Sequence, residues 1–222
     1  FSKPMSDPLD PKRTSRDLKE VQEFLTQWLR EKATNPQITI SNLRRPSGSG
    51  MSSETLLFSA NSKSENSGLE RQLVARLAPT REDIPVFQKY DLEFQVRTMK
   101  IVQERTTIPI PNVLWLETDP TILGAPFFVM EQVNGRVPPD LPPYVFGGWL
   151  LDAPPENQRS LESYSVEIIS ELAKIDLGAL DTEFLEIGLP GETHLRRHFN
   201  AQKNYYQWVV GNDRNHPVIE NA

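Results

Sequence analysis

The spacing of apolar positions changes period several times along the chain, and each change marks an element. From Ser15, the residues Leu18, Val21, Leu25, Trp28 and Leu29 fall on one helical face, with Ser15 as the expected N-cap and Asp17 in the first turn. Asn35-Pro36 ends that helix, because proline lacks a donor and restricts the residue before it. Ile38 and Ile40 then alternate with Thr39 and Ser41, the period of a half-buried strand that runs to Leu43. The small residues of Pro46 to Ser53 separate it from a second strand, Thr55 to Phe58. Asn61 to Gly68 is polar and reads as a loop, and Gln72 to Leu77 reads as a third strand. Short strands in succession predict an antiparallel meander, which needs no long crossover.

Pro85 opens a helical pattern that continues to Arg105. Phe87, Tyr90, Phe94 and Ile101 form its apolar stripe, broadened by Leu92, Val96 and Met99. Ile108-Pro109-Ile110-Pro111 ends it, and Val113 to Leu116 and Phe127 to Met130 follow as strands. The stretch from Pro138 to Pro155 is rich in proline and holds Gly147-Gly148, so it reads as a long connection. Leu161 to Ile175 and Leu195 to Val210 return to helical spacing, and a further helix starts near Val218. The expected fold class is α+β: a small lobe of about five antiparallel strands and one main helix, then the first helices of an α-rich large lobe. The expected divisions are a flexible arm (1–14), an N-terminal helix and small lobe (15–135), a proline-rich connection (136–157) and an incomplete helical lobe (158–222).

Composition narrows the chemistry. The 222 residues leave room for one large domain or two packed lobes. With 24 Lys+Arg against 30 Asp+Glu the net charge is -6, which argues against a general nucleic-acid binder. The absence of cysteine excludes disulfides, thiolate zinc sites and a cysteine nucleophile. His194 and His198 have helical spacing, yet Leu195-Arg196-Arg197 lacks the glutamate of a His-Glu-x-x-His motif, and His216 adds no metal set. No apolar run approaches the roughly 18 to 20 residues of a membrane span, so no membrane partner is expected. Phe1-Ser2-Lys3-Pro4 shows neither a signal-peptide core nor an initiator methionine, so the expectation is a trimmed start and a cytoplasmic protein.

Three features carry candidate chemistry. The Gly/Ser-rich turn of Ser47 to Ser53 lets backbone amides approach a phosphate closely, although the same composition suits a plain hairpin connection. It is neither a Gly-Lys-Ser/Thr P-loop nor a full Gly-x-Gly-x-x-Gly. Arg76 interrupts an apolar strand, where alone it reads as an outward-facing member of the alternation. Glu93, between Leu92 and Phe94, alone reads as a solvated helix residue. Together they stand in the order of a protein-kinase-like small lobe: a loop that cradles phosphates, a strand cation that neutralises them, and a helix glutamate that aims the cation. Met130-Glu131-Gln132-Val133 then falls where a hinge offers its backbone to an adenine edge.

Ser47-Gly48-Ser49-Gly50-Met51-Ser52-Ser53-Glu54-Thr55, Val74-Ala75-Arg76, Leu92-Glu93-Phe94, Ile110-Pro111-Asn112-Val113 and Gly124 to Glu131 resemble the aminoglycoside phosphotransferase family. The chain is similar as well to the kinase-like domains attached to some acyl-CoA dehydrogenases. The resemblance extends from about Leu18 to Trp208. It implies an ATP- and Mg2+-dependent kinase that moves the γ-phosphate to a small-molecule hydroxyl. It further implies that Ser47, Gly48, Ser49, Gly50, Met51 and Ser52 form the loop over ATP, with Ser49 to Ser52 on the phosphates. Arg76 takes the place of the usual lysine, Glu93 is its partner, and Met130, Glu131, Gln132 and Val133 form the adenine-holding hinge. The chain departs from the family twice. Arginine is a planar fork rather than an ammonium, and no His-Gly-Asp with its Asn, nor any Asp-Trp-Glu, is present. The catalytic and Mg2+-binding residues are therefore expected beyond residue 222, none within the chain, and residues 1–222 alone are expected to be inactive. The alternatives are a non-catalytic kinase-like module that binds nucleotide or a partner, and an interaction scaffold.

Overall fold

The computed structural model of the chain describes residues 16–46, 53–64, 67–80, 83, 86–138, 143–211 and 217–220. The expected arm at 1–14 and the loop residues Ser47 to Ser52 lie outside these. The first helix, α1 (Leu18–Lys32), starts at a cap supplied by Asp17, whose carboxylate accepts the Lys19 amide at 2.6 Å. The expected cap, Ser15, lies outside the described residues. After α1 come β1 (Ile38–Arg44), β2 (Glu54–Ser64) and β3 (Ser67–Leu77), then α2 (Leu92–Arg105), β4 (Val113–Glu117) and β5 (Phe127–Glu131).

These strands form one five-stranded antiparallel sheet in the order β1-β2-β3-β5-β4. The first three make the expected meander. The chain then crosses through α2 to the far edge and returns inward, so β5 rather than β4 pairs with β3. The fold is thus α+β as the pattern predicts. The stretch expected as a loop, Asn61 to Gly68, is instead largely strand: Asn61 pairs with Glu70, Ser62 with Leu69 and Lys63 with Gly68. Its polarity reports the lack of an apolar face to bury, not the lack of a ladder, since backbone groups pair whatever the side chains are. In β1 the register shifts between Ser41 and Arg44, and Asn42 takes a left-handed φ of 56°. Asparagine tolerates that conformation and marks the bulge.

One face of the sheet packs on α1. Val21, Leu25, Trp28 and Leu29 meet Leu56, Phe58, Leu73, Ala75, Leu77, Phe127 and Val129 in a single buried cluster. Full burial of such a side chain contributes about 1.5–3 kcal/mol. Trp28 lies edge-on to Phe127 with centroids 4.7 Å apart. Its indole N–H donates to Glu117 at 2.7 Å, and the Asp119 amide and Lys32 ammonium reach the same carboxylate, each at 3.1 Å. The Trp28 hydrogen bond, the Asp119 amide and Lys32 hold the Glu117 carboxyl down, from 4.5 to about 2.

Helix α2 packs against β4 and β5. Its buried Leu92 and Val96 stand outside the α1 cluster, so it covers the other face. It starts later than the expected Pro85. Asp91 caps it by accepting the Phe94 amide at 2.9 Å. The preceding Val86 and Phe87 amides turn to the Tyr90 hydroxyl at 2.7 and 3.1 Å instead.

The chain divides into two compact units, residues 1–84 with 91–175, and residues 85–90 with 176–222. The first ends in α3 (Pro155–Ala173), which starts before the expected Leu161 because Pro155 suits the first helical turn. Gln158 ties that turn down by donating to the carbonyls of Leu150, Leu151 and Ala153. The second unit holds α4 (His194–Val210) and the short α5 (Pro217–Glu220). Its Tyr205 hydroxyl donates to Val86 O at 2.9 Å, and Arg197 pairs with Glu186 at 2.9 Å.

Candidate functional site

Side chains alternate across a strand, so the neighbours of the α1-facing residues line the opposite face. Register then sorts that face into rows. Leu57 opposes Val74, which opposes Met130, so β2, β3 and β5 contribute an apolar row. Next to it, Thr55 opposes Arg76, which opposes Phe128. On the other side Ser59 opposes Gln72, whose carbonyl accepts the Gln132 amide at 3.0 Å. Ser59 is fully buried, and Gln72 Nε2 donates to its hydroxyl at 3.0 Å. The face therefore passes from amide groups, through an apolar strip, to a cation. Successive rows lie about 7 Å apart along the strands.

Arg76 is half-buried, and its Nε is buried with no hydrogen-bond partner. Leaving such a donor unpaired costs about 1–3 kcal/mol. Glu93 is exposed in the first turn of α2, and the two side chains form no ion pair in this structure. Of the hinge residues, Met130 closes the apolar row. The Glu131 carboxylate is held by Arg71 across β3 and β5, and the Gln132 side chain reaches Asn134 at 3.3 Å. Val133 follows the last ladder bond and is 67% exposed. The Glu131 and Gln132 amides are engaged as well, by the Asn112 and Gln72 carbonyls, each at 3.0 Å. The loop residues Ser47, Gly48, Ser49, Gly50, Met51 and Ser52 lie outside the described residues.

Sequence reasoning missed Leu57, Val74 and Gln72 as members of this face. Val74 precedes Arg76 by one strand repeat and was visible in principle; the place of Leu57 needs the β2–β3 register. A recess of about 310 Å³ lies among Asn42 and Arg44 of β1, Leu57, Gln72 and Gln132, at the lower end of the roughly 300–1,000 Å³ usual for ligand sites. Two hollows of about 760 Å³ run along α3. Arg76 lines none of the three, and one of the α3 hollows is lined largely by apolar residues such as Val145, Leu161 and Ile169, a poor setting for phosphate. Among the described residues no group of three or more His, Cys, Asp or Glu could hold a metal ion. No helix among them is long and apolar enough to cross a membrane.

No protein-family model matches the chain. A crystal structure of a candidate aminoglycoside phosphotransferase from Ralstonia eutropha JMP134 superposes on 86% of it with a TM-score of 0.52, at 20% identity. The chain thus has the kinase-like fold of an aminoglycoside phosphotransferase. In sequence it is 30% identical, over 153 residues and 68% of its length, to the probable acyl-CoA dehydrogenase IBR3 of Arabidopsis thaliana. The chain spans 16% of that curated relative and 48% of the solved one.

Proposed function

We propose that this chain is the nucleotide-binding part of an ATP-dependent phosphotransferase acting on a hydroxyl of a small molecule. The observation that carries the reading is Arg76, a half-buried guanidinium with an unpaired Nε on the sheet face opposite α1. A guanidinium stays charged at any physiological pH, and a polyphosphate offers the acceptors it lacks. The apolar row of Leu57, Val74 and Met130 suits a nucleobase, and the main chain at Val133, past the last ladder bond, supplies edge-on polar contacts. Base and phosphates then span adjacent rows in the order hinge, apolar strip, cation. Phosphoryl transfer from ATP to a hydroxyl depends mainly on positioning and charge neutralisation, and Arg76 provides part of the latter. Magnesium, when bound, would neutralise the remaining phosphate charge. The reading implies an ATP-containing compartment, the cytoplasm.

A second reading is a kinase-like module that binds nucleotide without transferring phosphate. It is favoured by the absence from the sequence of His-Gly-Asp and Asp-Trp-Glu. The dehydrogenase chemistry in the name of IBR3 is not carried across by a match to 16% of that protein. Calorimetric titration with ADP and ATP tests the common core of both readings. Saturable binding that competes between the two nucleotides is the expected result, and no heat at millimolar nucleotide would remove both.

A further inference from the structure

Several strand ends meet at one guanidinium. Arg16, just before α1, and Glu54, the first residue of β2, have side chains only 5% exposed and pair at 2.6 Å. Arg16 Nε donates to the Leu123 carbonyl and Nη2 to the Ala78 carbonyl, each at 2.9 Å. Leu123 belongs to the β4–β5 connection, which turns at Gly124 with φ 76°. Ala78 is the residue after β3, and its amide donates to Pro126 O at 3.0 Å. Arg45, just past β1, reaches the second Glu54 oxygen at 2.9 Å and the Arg16 carbonyl at 3.0 Å. The ends of β1, β2 and β3 and the turn into β5 are thereby tied through Arg16 and Glu54.

Arg76 stands immediately inside this knot. It is two residues before Ala78, and its register partner Thr55 follows Glu54. We infer that Arg16 is a positioning residue: by fixing the end of β3 against β2 and β5, it sets where the Arg76 guanidinium points. The inference rests on the reading of Arg76 as the phosphate-facing cation. Arginine is needed because three acceptors in different directions require its planar fork, whereas a lysine ammonium at Arg16 keeps the charge and loses the geometry. Charge alone would keep Glu54 compensated and the chain folded.

The test compares Arg16→Lys with wild type in ADP affinity, melting temperature and hydrogen exchange of the Arg76 Nε proton by NMR. ADP affinity is expected to fall ~10-fold, as small misplacements of binding groups do, and the Nε proton to exchange faster. Glu117→Gln serves as the control that lowers the melting temperature and leaves both other readouts unchanged. Wild-type affinity and exchange in Arg16→Lys would overturn the inference. If wild type binds no ADP, the phosphate reading falls and the Arg76 exchange still decides the positioning. If Arg16→Lys does not fold, Arg45→Gln, at a residue 37% exposed, is read in the same way. A smaller shift in the same direction supports the inference, and none overturns it.

Discussion

A buried guanidinium nitrogen without a partner weakens the free protein, and on the proposed reading it strengthens the hold on an anion, so substitution of Arg76 tests stability apart from binding. Arg76→Met keeps the stem packed between Thr55 and Phe128 and removes the unpaired donor. We predict that its melting temperature holds or rises, a gain of at most about 1 kcal/mol. ADP affinity should fall on the order of 100-fold, the loss of two charge-assisted contacts. A purely structural arginine would give the reverse, lower stability with unchanged affinity, and that result would remove Arg76 from the site. Part of this was legible in the sequence, because a lone cation in Leu73-Val74-Ala75-Arg76-Leu77 breaks an apolar run. That its Nε is unpaired depends on what β2 and β5 place beside it, which spacing along one strand does not encode. The same holds for Arg16, whose acceptors lie far away in sequence, at Glu54, Ala78 and Leu123. The pairing of Arg76 with Glu93 is expected once nucleotide is bound; a nucleotide complex with the two side chains still apart would refute it.

At the scale of elements, α1 is fastened to β4 by a carboxylate that titrates at an unusual pH. Glu117 is lowered from 4.5 to about 2, first by the Trp28 indole, then by the Asp119 amide and by Lys32. A folded-state pKa below the unfolded one stabilises the fold above the unfolded value, and the contribution disappears as pH falls through the folded value. The tie should therefore be complete above pH 4.5 and fade between 4.5 and about 2. Its worth is on the order of 1–3 kcal/mol, the lower figure allowing for solvent screening. Acid melts of wild type and Glu117→Gln are expected to converge across that window, and parallel curves would show that the carboxylate contributes no pH dependence. Helix α1 was easy to read because its apolar stripe is strict. The outer β2–β3 ribbon was not, since Asn61-Ser62-Lys63-Ser64 has no apolar alternation and is held by backbone pairing together with the side-chain hydrogen bonds of Asn61 to Ser41 and of Asn35 to Ser62. The start of α2 was misplaced because Phe87 and Tyr90 continue the helical spacing, while the Asp91 cap decides where the helix begins. Spacing shows which residues can share a face, and caps show where the face starts.

At the scale of the whole molecule, nucleotide recognition and phosphoryl transfer need different groups, and the proposed reading assigns residues of this chain only to the first. A transfer site needs a carboxylate to orient the attacking hydroxyl and ligands to hold magnesium against the phosphates. The late acidic residues Asp176, Asp181, Glu183, Glu186 and Glu192 are neither preceded by His-Gly nor followed by asparagine at catalytic-loop spacing. Among the described residues no acidic group gathers into a metal site. Glu186 is engaged with Arg197, as expected of surface charge. The periodicity of α3 was readable, but what it packs against was not: Leu161, Ile168, Ile169 and Leu172 make a helical pattern, yet no residue of α3 is buried. We predict that residues 1–222 bind ADP and ATP and leave ATP intact with every hydroxyl substrate offered. The measurement is phosphate transfer by the purified chain, with magnesium, across a panel of aminoglycosides, sugars and amino alcohols. Turnover that depends on one of these substrates would show that the catalytic carboxylate lies within the chain, and would make those acidic residues the first candidates. Binding without turnover is the expected result, and assaying a version extended by the C-terminal sequence that the solved relative has beyond its matched part distinguishes the phosphotransferase from the nucleotide-binding module. Activity regained on extension supports the former, and an extended protein that still binds ATP without consuming it establishes the latter.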